Sequence, residues 1–212
     1  MKICYISCAL DCTLDFIPKS DDLVIGADRG YVNLKKANIV PDIVIGDFDS
    51  YRGEVCCENI LRLPTEKDET DCEVAIKYAI EKKYKNIVVY GAIGGTLDHT
   101  IANIAHLRGY TEKGIKISFI DGENVIFAIH NEKILFPSST KGRISIFSAS
   151  ERSDGVSLTG LFYELENENL YNTVPLGVSN EFIGKKAEIS VACGTLYIYT
   201  SKENYKKLLT YN

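Results

Sequence analysis

The residues best placed to do chemistry are aspartates. Asp28 follows the apolar run 23–27, and the run 43–46 ends in Asp47-Phe48-Asp49-Ser50. Both runs read as strands, so all three acids fall at strand carboxyl ends. In extended chain, residues two apart point to the same side, so Asp47 and Asp49 can present two carboxylates to one ion. A third group, Lys67-Asp68-Glu69-Thr70-Asp71-Cys72-Glu73, leads into an amphipathic segment. Thr70 with Glu73 three residues later fits a capping box, making Thr70 the N-cap and Asp71 the first helical residue. Acids in a first turn also complement the helix dipole, so Asp71 alone fits a structural role equally well.

Residues 91–99, Gly-Ala-Ile-Gly-Gly-Thr-Leu-Asp-His, lie between a strand-like run and the next helix. Gly91 and Gly94 let backbone N–H groups approach a phosphate at a helix N-terminus. The spacing is neither the dinucleotide fingerprint nor a Walker motif, so it names no nucleotide by itself. If the strand ends converge, Asp28, Asp47, Asp49 and Asp71 crowd together. Two carboxylates about 6 Å apart repel by roughly 3 kcal/mol at an effective dielectric of 20, which calls for a cation or protonation. Oxygen ligands beside a phosphate cradle point to Mg²⁺ rather than zinc.

The elements that must position these groups change character near the middle of the chain. Short apolar runs at 3–6, 23–25, 43–45, 87–90 and 115–120 read as strands buried on both faces. Between them lie helices. One covers about 71–83, with Cys72, Ala75, Ile76, Ala79 and Ile80 facing inward; a second turns Leu97, Ile101, Ile104 and Ala105 inward. This alternation predicts a parallel, Rossmann-like α/β domain over 1–122, with ligands outside the strands' carboxyl ends. Beyond residue 122 helical periodicity stops. Short stretches at 125–129, 134–136, 144–147, 156–158, 189–191 and 196–199 predict an antiparallel all-β domain over 123–212, a sandwich or barrel.

Composition excludes several classes of function. The 212 residues carry 24 basic and 29 acidic side chains, a net charge of −5, which gives no basic footprint for nucleic acid. No apolar run reaches the roughly 20 residues of a membrane helix. The start of the chain enters a strand-like run directly, so secretion is not expected. Seven cysteines, with no C-x-x-C pair and no zinc spacing, are expected to be reduced thiols in the cytoplasm.

Asp28-Arg29-Gly30, residues 41–50, Lys67-Asp68-Glu69-Thr70-Asp71 and residues 91–99 resemble, in order and spacing, the motif series of the thiamine pyrophosphokinases. Residues 155–163 and 177–181 look like that family's β-domain segments. The resemblance implies transfer of the pyrophosphoryl group of ATP to the hydroxyl of thiamine, giving thiamine diphosphate and AMP. It implies Asp28, Asp47, Asp49 and Asp71 around Mg²⁺, with Asp47, Asp49 and Asp71 at the reaction, and Asp28, Lys67, Thr70, Gly91, Gly94 and Asp98 toward the nucleotide. Ser179 and Asn180 would lie against thiamine, in a homodimer whose active site joins one subunit's α/β domain to the other's β domain. Two departures stand out: Thr96 replaces an arginine common in that loop, and the chain has no tryptophan to stack on thiamine, leaving Phe162 and Tyr163 as substitutes. A haloacid-dehalogenase-like phosphatase using Asp47 and Asp49, and a nucleotide-sensing module without turnover, remain as other readings. The phosphatase motif normally ends the first strand and is followed by glycine and threonine, whereas Ser50-Tyr51 follows here.

Overall fold

The computed structural model describes residues 2–48, 55–64, 66 and 68–211. Chain packing divides it into two units, residues 1–106 with 114–122, and residues 107–113 with 123–212.

The first unit runs β1 (Cys4–Ser7), β2 (Leu23–Ala27), α1 (Gly30–Lys36), β3 (Ile43–Gly46), β4 (Ile60–Arg62), α2 (Asp71–Glu81), β5 (Asn86–Tyr90), α3 (Leu97–Thr111) and β6 (Lys116–Asp121). Its strands pair in parallel in the order β6-β5-β1-β2-β3-β4. Cys4, Ile6, Val24, Ile25, Val44, Ile45, Val89 and Phe119 are buried, as continuous apolar runs in a covered parallel sheet require. Helix α2 packs on β1, β2 and β3 and buries Cys72, Ala75, Ile76 and Ala79, the face expected from the sequence. Thr70 is its N-cap, the hydroxyl accepting the Glu73 N–H at 3.2 Å. The Glu73 carboxylate turns to Lys77, at 2.8 Å, and His106, at 3.6 Å.

The expected face of α3 is reversed. Leu97 and Ile101 are 72% and 59% exposed and Ala105 is exposed, whereas Asn103, Leu107 and Tyr110 are buried. An apolar stripe is present at the helical period, but the side of the helix that is buried is the one carrying Asn103, Leu107 and Tyr110.

The second unit contains β7 (Asn124–His130), β8 (Lys133–Phe136), β9 (Lys141–Ser148), β10 (Arg152–Thr159), β11 (Leu165–Tyr171), β12 (Gly177–Ile183), β13 (Ala187–Ser190), β14 (Thr195–Ser201) and α4 (Lys202–Tyr211). Its strands form two antiparallel series, β12-β9-β14-β7 and β11-β10-β13-β8. Phe136 and Phe182, one from each series, meet edge-on with ring centroids 5.0 Å apart. The unit is not wholly β: α4 buries Leu208 and sets Tyr205 against Phe127 at 4.8 Å. The last turn of α3 is tied to β14 and the 149–150 turn. The Thr195 hydroxyl donates to Glu112 at 2.9 Å, and Arg108 bridges Glu112 at 2.8 Å and the Ala149 carbonyl at 3.1 Å. Among the described residues no helix is long and apolar enough to cross a membrane.

Candidate active site

Strand β1 lies between β2 and β5, so the chain leaves it toward one side of the sheet and later returns on the other. Loops at the carboxyl ends diverge at such a reversal and leave a crevice. A cavity of about 410 Å³ occupies this position. Its walls are residues 8–10 after β1, Ala27 and Asp28 after β2, Gly91, Ala92, Gly94, Gly95 and Thr96 after β5, Thr70, Asp71 and Cys72 at the start of α2, and His99 and Asn103 of α3.

Tight backbone approaches shape the crevice. Gly30 begins α1 so close to β1 that a Cβ there would lie 1.7 Å from the Ser7 carbonyl oxygen. Gly91 has φ +67°, and a Cβ on it would meet the Leu10 carbonyl at 2.6 Å, so both positions demand glycine. Two buried asparagines then fix the loops. Asn33 Nδ2 donates to the carbonyls of Leu10, at 2.8 Å, and Cys8, at 3.1 Å; Asn103 Nδ2 donates to Ala92 O at 2.6 Å. The Leu10 N–H reaches Gly91 O at 3.1 Å, joining the two loops directly, and the Thr100 hydroxyl accepts the Gly94 N–H at 3.2 Å. None of Asn33, Asn103 and Thr100 was marked by motif. Their signal is compositional, since an asparagine inside a helix competes with the backbone and is kept where its amide has other work.

The acidic residues converge as the strand ends imply. Asp28, Asp47 and Asp71 each offer a carboxylate oxygen, and these oxygens lie within 4.8 Å of one another. One oxygen of Asp28 and one of Asp71 are closed to solvent. Asp28 sits in the left-handed region, φ +48°, held by its N–H to Ile45 O at 2.8 Å and by the Tyr31 N–H donated to its carbonyl at 3.2 Å. Phe48, immediately after Asp47, has φ +59°. A bulky side chain in that region is uncommon and persists where surrounding structure over-determines it, often at functional sites. Asp49 and Lys67 lie outside the described residues.

Other expected positions separate. Thr70 and Gly94 line the cavity with Gly91, but Asp98 faces solvent and does not. The Thr96 hydroxyl, then the His99 N–H, hold its carboxyl below the usual carboxylate range. Two thiols in the loop after β1, Cys8 and Cys12, are held toward the protonated form. Contact with Cys72 and burial push Cys8 well up, and burial with Asp11 nearby raises Cys12 to about 11. All seven cysteines are free.

In the second unit Ser179 is exposed with φ +55°, its N–H donated to Ser145 Oγ at 3.1 Å. Asn180 is buried and its amide is engaged: Oδ1 accepts from Tyr163 N at 3.0 Å and Glu181 N at 2.9 Å, and Nδ2 donates to Tyr163 O at 2.7 Å. These bonds present Phe162 and Tyr163, 64% and 63% exposed, as an edge-to-face pair with centroids 4.9 Å apart.

A parallel sheet carrying hard oxygen donors and a glycine loop at its reversal point can hold a cation beside a phosphate, an arrangement open to several classes of enzyme. Comparison with known proteins specifies which. The thiamin pyrophosphokinase catalytic-domain model matches residues 15–119, and the family's vitamin B1 binding domain model matches 131–196. The thiamine pyrophosphokinase of Bacillus subtilis is 34% identical over 188 residues, covering 85% of this chain and 88% of that protein. A thiamin pyrophosphokinase of Caenorhabditis elegans is 30% identical over 171 residues, covering 73% and 70%. The crystal structure of a Bacillus subtilis thiamine pyrophosphokinase superposes with a TM-score of 0.83 at 28% identity, over 95% of this chain and 99% of that one. The chain belongs to the thiamine pyrophosphokinase family and is an enzyme of that type.

Proposed function

We propose that the protein transfers the pyrophosphoryl group of ATP to the hydroxyl of thiamine, giving thiamine diphosphate and AMP. The observation that carries this reading is the meeting of Asp28, Asp47 and Asp71 oxygens within 4.8 Å, beside a cavity floored by glycines, in a member of this family.

The donor set fits Mg²⁺. Three carboxylates supply hard oxygens at a spacing compatible with ligands of one ion or of neighbouring ions, leaving room for water and phosphate. Asp28, Asp47, Asp71 and, by the D-x-D spacing, Asp49 would hold the metal, which when bound neutralises charge on the transferring group and aligns the oxygens in line. Asp47, Asp49 and Asp71 are the residues assigned to the reaction centre. The chain's other contributions are positional. Asn33 and Asn103 hold the loops open, and Gly91 and Gly94 let the backbone approach the nucleotide phosphates. Asp28, Thr70, Lys67 and Asp98 complete the nucleotide contacts, Asp98 from the solvent side.

Residues 1–122 act as a Rossmann-like ATP and metal domain and 123–212 as a β-sandwich thiamine domain. The thiazolium ring of thiamine is a permanent cation, which an exposed aromatic pair such as Phe162 and Tyr163 can receive. Ser179 and Asn180 lie against the substrate, and Asn180 also holds the aromatic pair through Tyr163. The enzyme works as a cytoplasmic homodimer. The uncovered Leu97, Ile101 and Ala105 stripe supports pairing, and the free thiols suit a reducing compartment.

The test is to incubate the protein with ATP and Mg²⁺, with and without thiamine, and follow AMP. AMP should appear with thiamine and stop on chelation of the metal. AMP release indifferent to thiamine overturns the reading.

A further inference from the structure

Among the described residues the cavity walls carry neither lysine nor arginine, although a polyphosphate brings several negative charges. Metal ions and Lys67, assigned above to the nucleotide, offset part of that charge, and a further cation reaching in from outside the walls can add to them. Most cations around the strand ends are engaged. Lys36 bonds Asp11 at 2.7 Å, Arg29 acts on the same carboxylate, and Lys77 is held by Glu69 and Glu73.

Arg62 is placed differently. It ends β4, pairs in register with Gly46, and so stands at the same carboxyl edge as Asp47, one residue after Gly46. The next N–H, from Leu63, continues the ladder to Gly46 O at 3.0 Å. Arg62 makes no ion pair among the described residues; its guanidinium lies over the Phe48 ring, 5.2 Å from the centroid. Phe48 is the left-handed residue between Asp47 and Asp49. A guanidinium on an aromatic face keeps its N–H fork available for phosphate.

Order along the sheet edge gives this placement a direction. From β5 to β4 the edge carries the glycine loop, the β1 loop, Asp28, Asp47 and then Arg62. Strands are about 4.8 Å apart, so these groups span roughly 19 Å. A nucleotide seated at the glycine loop and crossing the aspartates points its outer phosphates toward Arg62.

We propose that Arg62 is a phosphate-contacting residue that grips the outer phosphates of the nucleotide, positioned for this by Phe48. The assignment rests on the ATP reading above. The test measures binding of a non-hydrolysable ATP analogue with Mg²⁺, and of AMP, by calorimetry on the full chain. KM for ATP and for thiamine is measured separately, and all four quantities are compared between wild type, Arg62→Met and Arg62→Lys. Arg62→Met should weaken the analogue and raise KM for ATP by about tenfold or more, as loss of a charged hydrogen bond does. AMP affinity, KM for thiamine and melting temperature should stay unchanged, and Arg62→Lys should restore part of the loss. Arg62→Met that binds the analogue as wild type does overturns the assignment while leaving the ATP reading intact. Equal loss of AMP and analogue with a lowered melting temperature also overturns it, by showing a structural role. A wild-type protein that binds no triphosphate overturns both.

Discussion

Asp28→Asn separates a metal ligand from a structural acid because its two effects have opposite signs. Asparagine is isosteric and tolerates the left-handed backbone that Asp28 adopts at φ +48°, so the fold should accept it. The change removes one charge from a set of three whose oxygens lie within 4.8 Å of one another. Each pair at that distance repels by about 0.9 kcal/mol in water and about 3.5 kcal/mol at an effective dielectric of 20. Asp28 takes part in two pairs and is half-buried, so the solvent-screened end applies and relief is about 2 kcal/mol. For a chain of this size that raises Tm by roughly 4–8 °C in the presence of a chelator. With Mg²⁺ and nucleotide the order should reverse. Wild type gains stability by binding, whereas the variant gains little and turns over at least about a hundredfold more slowly, about the loss expected when one charge-stabilising group is removed. Thermal melts with chelator and with Mg²⁺, beside initial rates, read both effects. A Tm that falls in chelator while metal-dependent stabilisation and rate stay as in wild type refutes the placement of Asp28 at the metal.

Three further outcomes follow from the geometry. Asn103→Ala leaves the Ala92 carbonyl without its 2.6 Å donor and should cost about 1–3 kcal/mol in denaturant melts while raising KM for ATP more than KM for thiamine. Gly30→Ala drives a Cβ to 1.7 Å from Ser7 O, so soluble expression or Tm should collapse, whereas Gly109→Ala, where a Cβ meets nothing within 4 Å, should leave Tm unchanged or raised. Glu112 is held below the usual carboxylate range by Arg108 first and by Thr195. A depressed folded value means stability present above the unfolded value, about 4.3, and lost as pH falls through the folded one. Glu112→Gln should therefore flatten the acid limb of Tm against pH while lowering Tm at neutral pH.

The acidic cluster was legible because strand ends are. Continuous apolar runs mark buried parallel strands, the residue after each run lies at the carboxyl edge, and Asp28 and Asp47 occupy those positions. Thr70 was legible because capping is local, decided by residues three apart. Long-range choices were hidden. Periodicity finds an apolar stripe on α3 but cannot say whether a core or solvent meets it, and Leu97 and Ile101 proved exposed while Asn103 went inside. Strand β11, Leu-Glu-Asn-Glu-Asn-Leu-Tyr, is exposed along most of its length and lacks the alternation that marks a half-buried strand. Its pairing with β10 holds it in place, which no local pattern reports. Helix α4 escaped for a related reason, since among ten residues it buries Leu208 with Lys202 and Asn204. The bonds from the Asn180 amide to the backbone of Tyr163 were hidden too, since the two residues lie 17 apart and sequence spacing does not connect them.

The central claim, that two phosphates move together from ATP to thiamine, is tested most directly with ATP labelled in the γ-phosphate. The label should appear in thiamine diphosphate, with unlabelled AMP formed in equal amount. Label recovered as inorganic phosphate, or in a thiamine product carrying a single phosphate with ADP left behind, contradicts it.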